Sequence, residues 1–341
     1  MMNKCFGRLG FQLAKFLNME SIATQCSALL TSKNRSLSLT TSTDASNPFR
    51  FVIIADPQLG LLEQYVEKRP RPHHWDREVK LVDRAMNIVN RLCPKPSFVV
   101  ICGDLVNDQP GGSDKCKQTS DLLDVLSHLD SNIPLIVLPG NHDVGDCPNE
   151  NGVQDYRSVW GDDYFSFIFN RIRFIVINTQ YLMNDSKCAS LASEFRQWFY
   201  EQISLRNKDF DMSVLFQHVP FFLEDLNEPD NYFNIPMNNR NEFVKELHKN
   251  QIYYAFSGHL HKNNISTYTP PTTVNKSNNI TVMPFSMISS SSVCVQLGND
   301  QPGLRLVQIN NSSNTENCLK HVYWSLDELE EILNSGKQPE I

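Results

Sequence analysis

The sequence predicts an α/β fold, a two-sheet β-sandwich flanked by helices with its functional side chains at the C-terminal ends of strands. Three observations lead there. Phe51-Val52-Ile53-Ile54-Ala55, Phe98-Val99-Val100-Ile101-Cys102, Leu135-Ile136-Val137-Leu138, Val214-Leu215-Phe216 and Tyr253-Tyr254-Ala255-Phe256 are short apolar runs bounded by turn signals, the pattern of buried strands. Amphipathic helical stretches separate the first runs, which implies βαβ units with parallel strands. Each run is also followed closely by carboxylate, amide or imidazole side chains: Asp56-Pro57-Gln58, Gly103-Asp104, Gly140-Asn141-His142-Asp143, His218 and Gly258-His259-Leu260-His261.

The elements follow in chain order. After the first strand comes a loop rich in Pro and Arg, then a helix with Asp76 as its expected N-cap and Val79, Val82, Met86 and Val89 as one apolar stripe. The second strand leads to a helix near 118–129. Residues 164–180 read as two strands joined at Asn170-Arg171, hence a hairpin. Helices near 191–205 and 242–248 precede the last two ligand-bearing strands. Further strands are expected at 281–283, 291–297, 304–309 and 321–324, then a short acidic helix. The Asn/Ser/Thr/Pro-rich stretch 263–281 reads as a surface-loop insertion. Residues 47–332 are thus expected to form one catalytic domain, with a tail at 333–341.

Residues 1–46 differ in composition. They are rich in Ser and Thr, carry Lys4, Arg8, Lys15, Lys33 and Arg35, and have only Glu20 and Asp44 as acids. The apolar positions hold no clear helical stripe, so a disordered leader is expected, with a mitochondrial transit peptide as the alternative.

A chain of 341 residues with 40% hydrophobic content can bury a substantial core. The net charge of −7 and the lack of a long basic tract argue against nucleic acid as partner. No run approaches the roughly 18 apolar residues of a membrane span. The nine cysteines are scattered and form no Cys-x-x-Cys pair, which suits a reducing compartment. A cytoplasmic monomer is the expectation. Sequons at Asn184, Asn264 and Asn279 read as chance in an Asn-rich chain.

The strand-end residues are the donor types of a dinuclear metal site. Two divalent ions roughly 3.5–4 Å apart repel, so an anion must bridge them. Asp104 is the natural bridge, on a tight turn that Gly103 permits. Asp56 would hold one ion and the Asn141 amide oxygen the other, with His218, His259 and His261 completing both shells. Residues two apart in an extended strand face one side, which would let His259 and His261 each reach a metal. His128 and His248 read as ordinary surface or hydrogen-bonded histidines.

These segments resemble the calcineurin-like metallophosphoesterase superfamily, whose pattern runs Asp-x-His, Gly-Asp, Gly-Asn-His-Asp/Glu, His, Gly-His-x-His. They are closer still to a branch of it classed as serine/threonine phosphatases, through Ala55-Asp56-Pro57-Gln58, Trp160-Gly161-Asp162-Asp163-Tyr164-Phe165, Phe216-Gln217-His218-Val219-Pro220 and Tyr323-Trp324-Ser325-Leu326. The resemblance implies Asp56, Gln58, Asp104 and His261 around a first metal, and Asp104, Asn141, His218 and His259 around a second. It implies His142 as the catalytic histidine, its ring held by Asp143, and two divalent cations drawn from Mn, Fe, Zn or Mg. Gln58 departs from the superfamily's histidine, and a neutral amide oxygen is the weaker ligand. The Gly-Asp segment also lacks the arginine that clamps phosphate in the classical protein-phosphatase branch. Lys68-Arg69-Pro70-Arg71 is a candidate replacement, with a solvated loop as the simpler reading.

The implied function is hydrolysis of phosphate monoesters on phosphoserine/phosphothreonine proteins, using a metal-bridging hydroxide with His142 as proton donor. A phosphodiesterase or nucleotidase is the alternative within the same chemistry. A catalytically silent scaffold of the same fold is the alternative of another class. Tyr232 and Phe233 are candidates for a substrate platform or for local packing.

Overall fold

The computed structural model describes residues 36–38, 48–205, 210–271, 282–310 and 318–341. Two sheets form its centre. One contains β1 (Ser36–Ser38), β5 (Phe165–Phe169), β6 (Ile172–Val176), β7 (Met212–Phe216), β8 (Tyr254–Ser257), β10 (Phe285–Ser289) and β9 (Asn264–Tyr268), in that spatial order. The other runs β12 (Leu319–Ser325), β11 (Gly303–Ile309), β2 (Phe49–Ile54), β3 (Val99–Cys102), β4 (Leu135–Leu138). The strands β2, β3 and β4 pair in parallel, as do β6, β7 and β8.

Period-two alternation decides which residues meet between the sheets. In β2, Phe49, Phe51 and Ile53 point into the inter-sheet layer while Val52 and Ile54 face helices. Phe98, Phe167, Phe174, Phe216 and Phe256 join Phe51 there, with Phe51 and Phe98 stacked at 4.8 Å and Phe174 and Phe216 at 5.5 Å. Each buried phenyl contributes roughly 1.5–3 kcal/mol. This layer holds the two sheets in fixed relation, and with them the strand ends that carry the site.

On the outer face of β2 and β3 lie α1 (Asp76–Arg91) and α2 (Lys115–Leu126), whose Val82, Met86, Val89, Leu122 and Val125 are buried. Asp76 is the first helical residue and Trp75 the N-cap, so the cap lies one residue before the expected Asp76. The short α3 (Asn141–Val144) and α4 (Glu150–Trp160) follow β4. Then come α5 (Gln180–Met183) and α6 (Ala189–Ser204) after the hairpin, α7 (Met237–Lys249) before β8, and α8 (Leu326–Asn334) at the end. The hairpin stands as expected: β5 and β6 are antiparallel, and Asn170 and Arg171 both take positive φ, as a tight two-residue turn demands.

Four expectations need correction. In the expected leader, Ser36–Ser38 pairs in parallel with β5, extending the sheet edge; residues 1–35 and 39–47 lie outside the described residues. The expected insertion begins with a strand, since Asn264–Tyr268 pairs antiparallel to β10; residues 272–281 lie outside the described residues. The strand expected at 281–283 is instead Phe285–Ser289. Residues 291–297 are irregular because Ser292 Oγ accepts hydrogen bonds from the backbone of Cys294 and Val295, bending the chain. No helix among the described residues is long and apolar enough to cross a membrane.

Candidate metal centre

Parallel β2, β3 and β4 in one sheet, and β7 and β8 in the other, end at the same edge of the sandwich. The expected donors follow within a few residues of each end, where ligands of open α/β sheets gather. Asp56, Gln58, Asp104, His259 and His261 all adopt positive φ, from 38° at Gln58 to 66° at His259. L-residues avoid that region at a cost of roughly 1–2 kcal/mol each. Backbone bent this way on buried polar residues marks a functional constraint.

His259 and His261 therefore do not lie in an extended strand. They sit in a turn beyond β8, and the turn, rather than strand periodicity, sends them to different places. Asp104, His218 and His259 bring ligand atoms within 4.8 Å of one another, and so do Asp56, Asp104 and His261. Asp104 belongs to both sets, the place expected for a bridge.

The hydrogen bonds around these residues settle which atoms face inward. His218 Nδ1 lies 2.8 Å from the Cys102 carbonyl, His259 Nε2 2.9 Å from the Tyr232 carbonyl and His261 Nδ1 2.5 Å from the Val295 carbonyl. Each carbonyl takes one ring N–H and leaves the other nitrogen for the centre. His218 Nε2 then meets Asn141 Oδ1 at 3.2 Å, His259 Nδ1 at 3.2 Å and Asp104 Oδ1 at 3.3 Å. The Asn141 amide is turned so that its Nδ2 donates to Asp146 and to the Tyr232 hydroxyl, leaving the oxygen inward. Acceptors thus face acceptors, an arrangement that a proton or a cation must relieve. Gln58 Oε1 is buried without a hydrogen-bond partner, as a ligand oxygen is before its ion is counted. The residues present fit divalent cations.

The electrostatics agree with a crowded, buried site. Burial pushes the Asp56 carboxyl up to about 6, against the pull of His261 and His218. Burial would raise Asp104 too, but the imidazoles of His218 and His142 hold it far below the usual carboxylate range. Burial alone would lower His218; the Asp104 carboxylate beside it instead raises it to about 9. Burial and the neighbouring His218 push His259 down to about 3.

Two glycines let these parts approach. Gly103 has φ +82°, and a Cβ there would overlap the His218 ring. A Cβ on Gly140 would strike Asp104. The Gly-Asp and Gly-Asn-His-Asp segments are therefore interlocked: His142 N donates to Asp104 Oδ1 at 2.9 Å, while Asp143 accepts from the backbone of Gly140 and Leu105.

That last contact corrects the expected role of Asp143. Its carboxylate is spent on backbone N–H groups and lies 3.8 Å from Lys115 Nζ, so it ties the two loops together. The His142 ring is held elsewhere, its Nδ1 2.5 Å from the Asn107 carbonyl. Lys115 donates to the His142 carbonyl from behind. Asn107 and Lys115 are supporting residues that sequence reasoning missed, and Tyr232, expected as a substrate platform or as local packing, is bonded to Asn141 and His259. Three of the supporting bonds end on main-chain carbonyls, which any residue supplies.

His142, Gln58, Asp104, His259 and His261 open onto a cavity of about 520 Å³. No Lys or Arg lines it. Arg69 pairs with Glu63 and Glu67, and Arg71 with Asp114, all away from the cavity, so the loop is a solvated one and not a phosphate clamp. His128 pairs with Asp83 and His248 bonds the Met283 carbonyl, outside the site as expected. Asp163, buried among Arg157, Asn178 and Tyr181, gives the segment before β5 a structural role.

A model of the calcineurin-like phosphoesterase family matches residues 49–263. Serine/threonine-protein phosphatase CPPED1 of Homo sapiens is 38% identical over 288 residues, covering 83% of this chain and 86% of that protein. The protein of the same name from Danio rerio is 35% identical over 316 residues, covering 91% of this chain and 96% of that one. Among solved structures, a dimetal phosphatase from Danio rerio shares the fold, with a TM-score of 0.51 and 15% identity over 82% of this chain and 100% of that one.

Proposed function

The chain belongs to the calcineurin-like phosphoesterase family, whose members are hydrolases, and from that premise we propose that it is a dinuclear, metal-dependent serine/threonine protein phosphatase. The observation that carries the reading is the position of Asp104, shared by two converging ligand sets at the floor of a cavity that also holds His142. The names of the relatives support phosphoserine and phosphothreonine proteins as substrates. Asp56, Gln58, Asp104 and His261 would hold one cation, and Asp104, Asn141, His218 and His259 the other. When bound, the cations supply Lewis-acid charge for the phosphoryl oxygens and acidify a water.

The protein's own groups do the rest. With Nδ1 committed to Asn107, His142 has Nε2 as the nitrogen that exchanges a proton in the cavity. A proton there serves the leaving alkoxide of a phosphomonoester. Asp143 and Lys115 keep the His142 backbone fixed against Asp104, so the proton is delivered from one position. Because no cationic side chain lines the cavity, the charge that grips phosphate falls to the cations and His142. Gln58 brings a neutral oxygen to the first set, which makes that site the weaker of the two. The buried thiols of Cys102, Cys188 and Cys294 support a reducing, cytoplasmic setting.

The test is hydrolysis of phosphoserine peptides by the manganese-supplemented protein, beside Asp104→Asn and a phosphodiester control. We expect release of phosphate by the wild type, a loss of bound manganese in Asp104→Asn, and little turnover of the diester. A diester cleaved faster than every monoester would reject the phosphatase assignment.

A further inference from the structure

Six large hydrophobic side chains are exposed among the described residues: Tyr65, Val66, Leu205, Tyr232, Ile265 and Leu297. Singly exposed apolar residues are ordinary. Here four of the six, Tyr65 at 55%, Val66 at 53%, Tyr232 at 54% and Leu297 at 50%, line the one cavity that holds His142 and the candidate ligands. Clustered exposure of this kind marks a surface kept for a partner.

The collar is built on fixed supports. Tyr65 and Val66 end a π-helical turn, Leu62–Val66. Its start is anchored from below by the buried Glu78, whose Oε1 accepts from Gly60 N and Leu62 N. π-Turns recur at functional positions. Across the mouth, the Tyr232 hydroxyl accepts from Asn141 Nδ2 and its carbonyl bonds His259, so this ring is tied to the ligand shell. Leu297 N bonds the His261 carbonyl, which seats the third side. A preformed collar of this kind spends little conformational entropy on binding.

Charge narrows the occupant. Apart from the candidate ligand Asp104, the lining holds the carboxylate of Asp146 and no Lys or Arg. An acidic flank resting on the collar, away from the cations, would therefore meet apolar rings and Asp146 with no cationic side chain to pair with. Ring geometry narrows it further. Tyr232 and Phe233 meet edge to face at 83°, and both pack against His259, so they form no parallel slot for a nucleobase.

We propose that this collar selects phosphoserine or phosphothreonine segments carrying a large apolar residue next to the phosphorylated side chain, and disfavours acidic neighbours. The inference rests on the phosphatase reading above and specifies its substrate class. The apolar neighbour lies against Val66 and Leu297 while the phosphate reaches the centre. Because the collar holds ground state and transition state alike, the preference appears in KM more than in kcat.

The experiment compares manganese-supplemented protein on acetyl-phosphoserine methylamide, on AMP, and on phosphoserine peptides of one length with Leu, Ala or Asp on both sides of the phosphoserine. The expected kcat/KM for the Leu peptide exceeds that for the Asp peptide by at least about tenfold, equivalent to about 1.4 kcal/mol. In the double variant Val66→Ser/Leu297→Ser, that ratio falls below about threefold while acetyl-phosphoserine methylamide is still turned over. Both positions are exposed, and the small ester reports that the variant retains its centre. Equal rates on the three peptides, or a ratio unmoved in the double variant, overturns the collar inference alone, whereas AMP turned over faster than every peptide rejects the protein-phosphatase reading on which it rests. No turnover of the small ester or of any peptide overturns the phosphatase reading and the collar with it.

Discussion

Replacing Gly103 by Ala tests whether the Gly-Asp turn is what seats Asp104 against His218. The added Cβ collides with His218 Nδ1 and would stand 2.7 Å from the ring Cγ and 2.9 Å from Gly140 N. None of these atoms is the free end of a flexible side chain. The imidazole is fully buried and its Nδ1 is held by the Cys102 carbonyl, so the ring cannot swing aside without losing that bond. Two costs add. The left-handed φ of +82° costs an alanine roughly 1–2 kcal/mol. Forcing a methyl into packed surroundings costs about 1–3 kcal/mol more. Gly111 supplies the control, because its φ is +84° but nothing lies within 4 Å of the added Cβ. Gly111→Ala therefore bears the backbone cost alone.

Urea unfolding of the chelated proteins should rank wild type above Gly111→Ala above Gly103→Ala, with the two variants separated by roughly 1–3 kcal/mol. Equilibrium dialysis against manganese should show at least about tenfold weaker binding in Gly103→Ala and wild-type binding in Gly111→Ala, tenfold being about 1.4 kcal/mol. Equal stabilities in the two variants, with full manganese binding in both, would refute the argument that close backbone approach at Gly103 positions these ligands.

Two further outcomes follow from the site. His142→Ala should retain its manganese, since the ring is outside both ligand sets, yet lose roughly 10²–10⁴ in kcat on a phosphopeptide; near-normal turnover removes His142 from proton transfer. The chelated protein should lose stability between about pH 6.5 and 9. His218 is raised from 6.5 to about 9 by Asp104, against the opposing effect of burial. A raised imidazole contributes stability that is fully present below 6.5 and lost as pH climbs through the folded-state value. Manganese needs the neutral ring, so the loaded protein should not share that decline. Thermal midpoints across this interval check the point, and parallel curves with and without manganese would contradict it.

What the sequence made legible, and what it hid, divides along a physical line. The strands and the donors were legible because short β-branched runs announce buried strands, and because carboxylate, amide and imidazole are the side chains a cation requires. Asp56, Asp104, His218, His259 and His261 fall into the ligand sets on that basis. The Asn264–Tyr268 strand was hidden by its composition, since NIST reads as loop until β10 offers it a paired edge. The orientation of the site was hidden more deeply. Which nitrogen each imidazole turns inward depends on the carbonyls of Cys102, Tyr232, Val295 and Asn107. A carbonyl carries no side-chain signature, so no reading of residue types finds it. Asp143 shows the converse error: the resemblance implied that it holds the His142 ring, but its oxygens bind the backbone N–H groups of Gly140 and Leu105 instead. Five of the nine non-glycine residues with positive φ among the described residues are candidate ligands. Side-chain chemistry names the donors, and strained backbone aims them, so the second half of the design becomes visible only when φ is known.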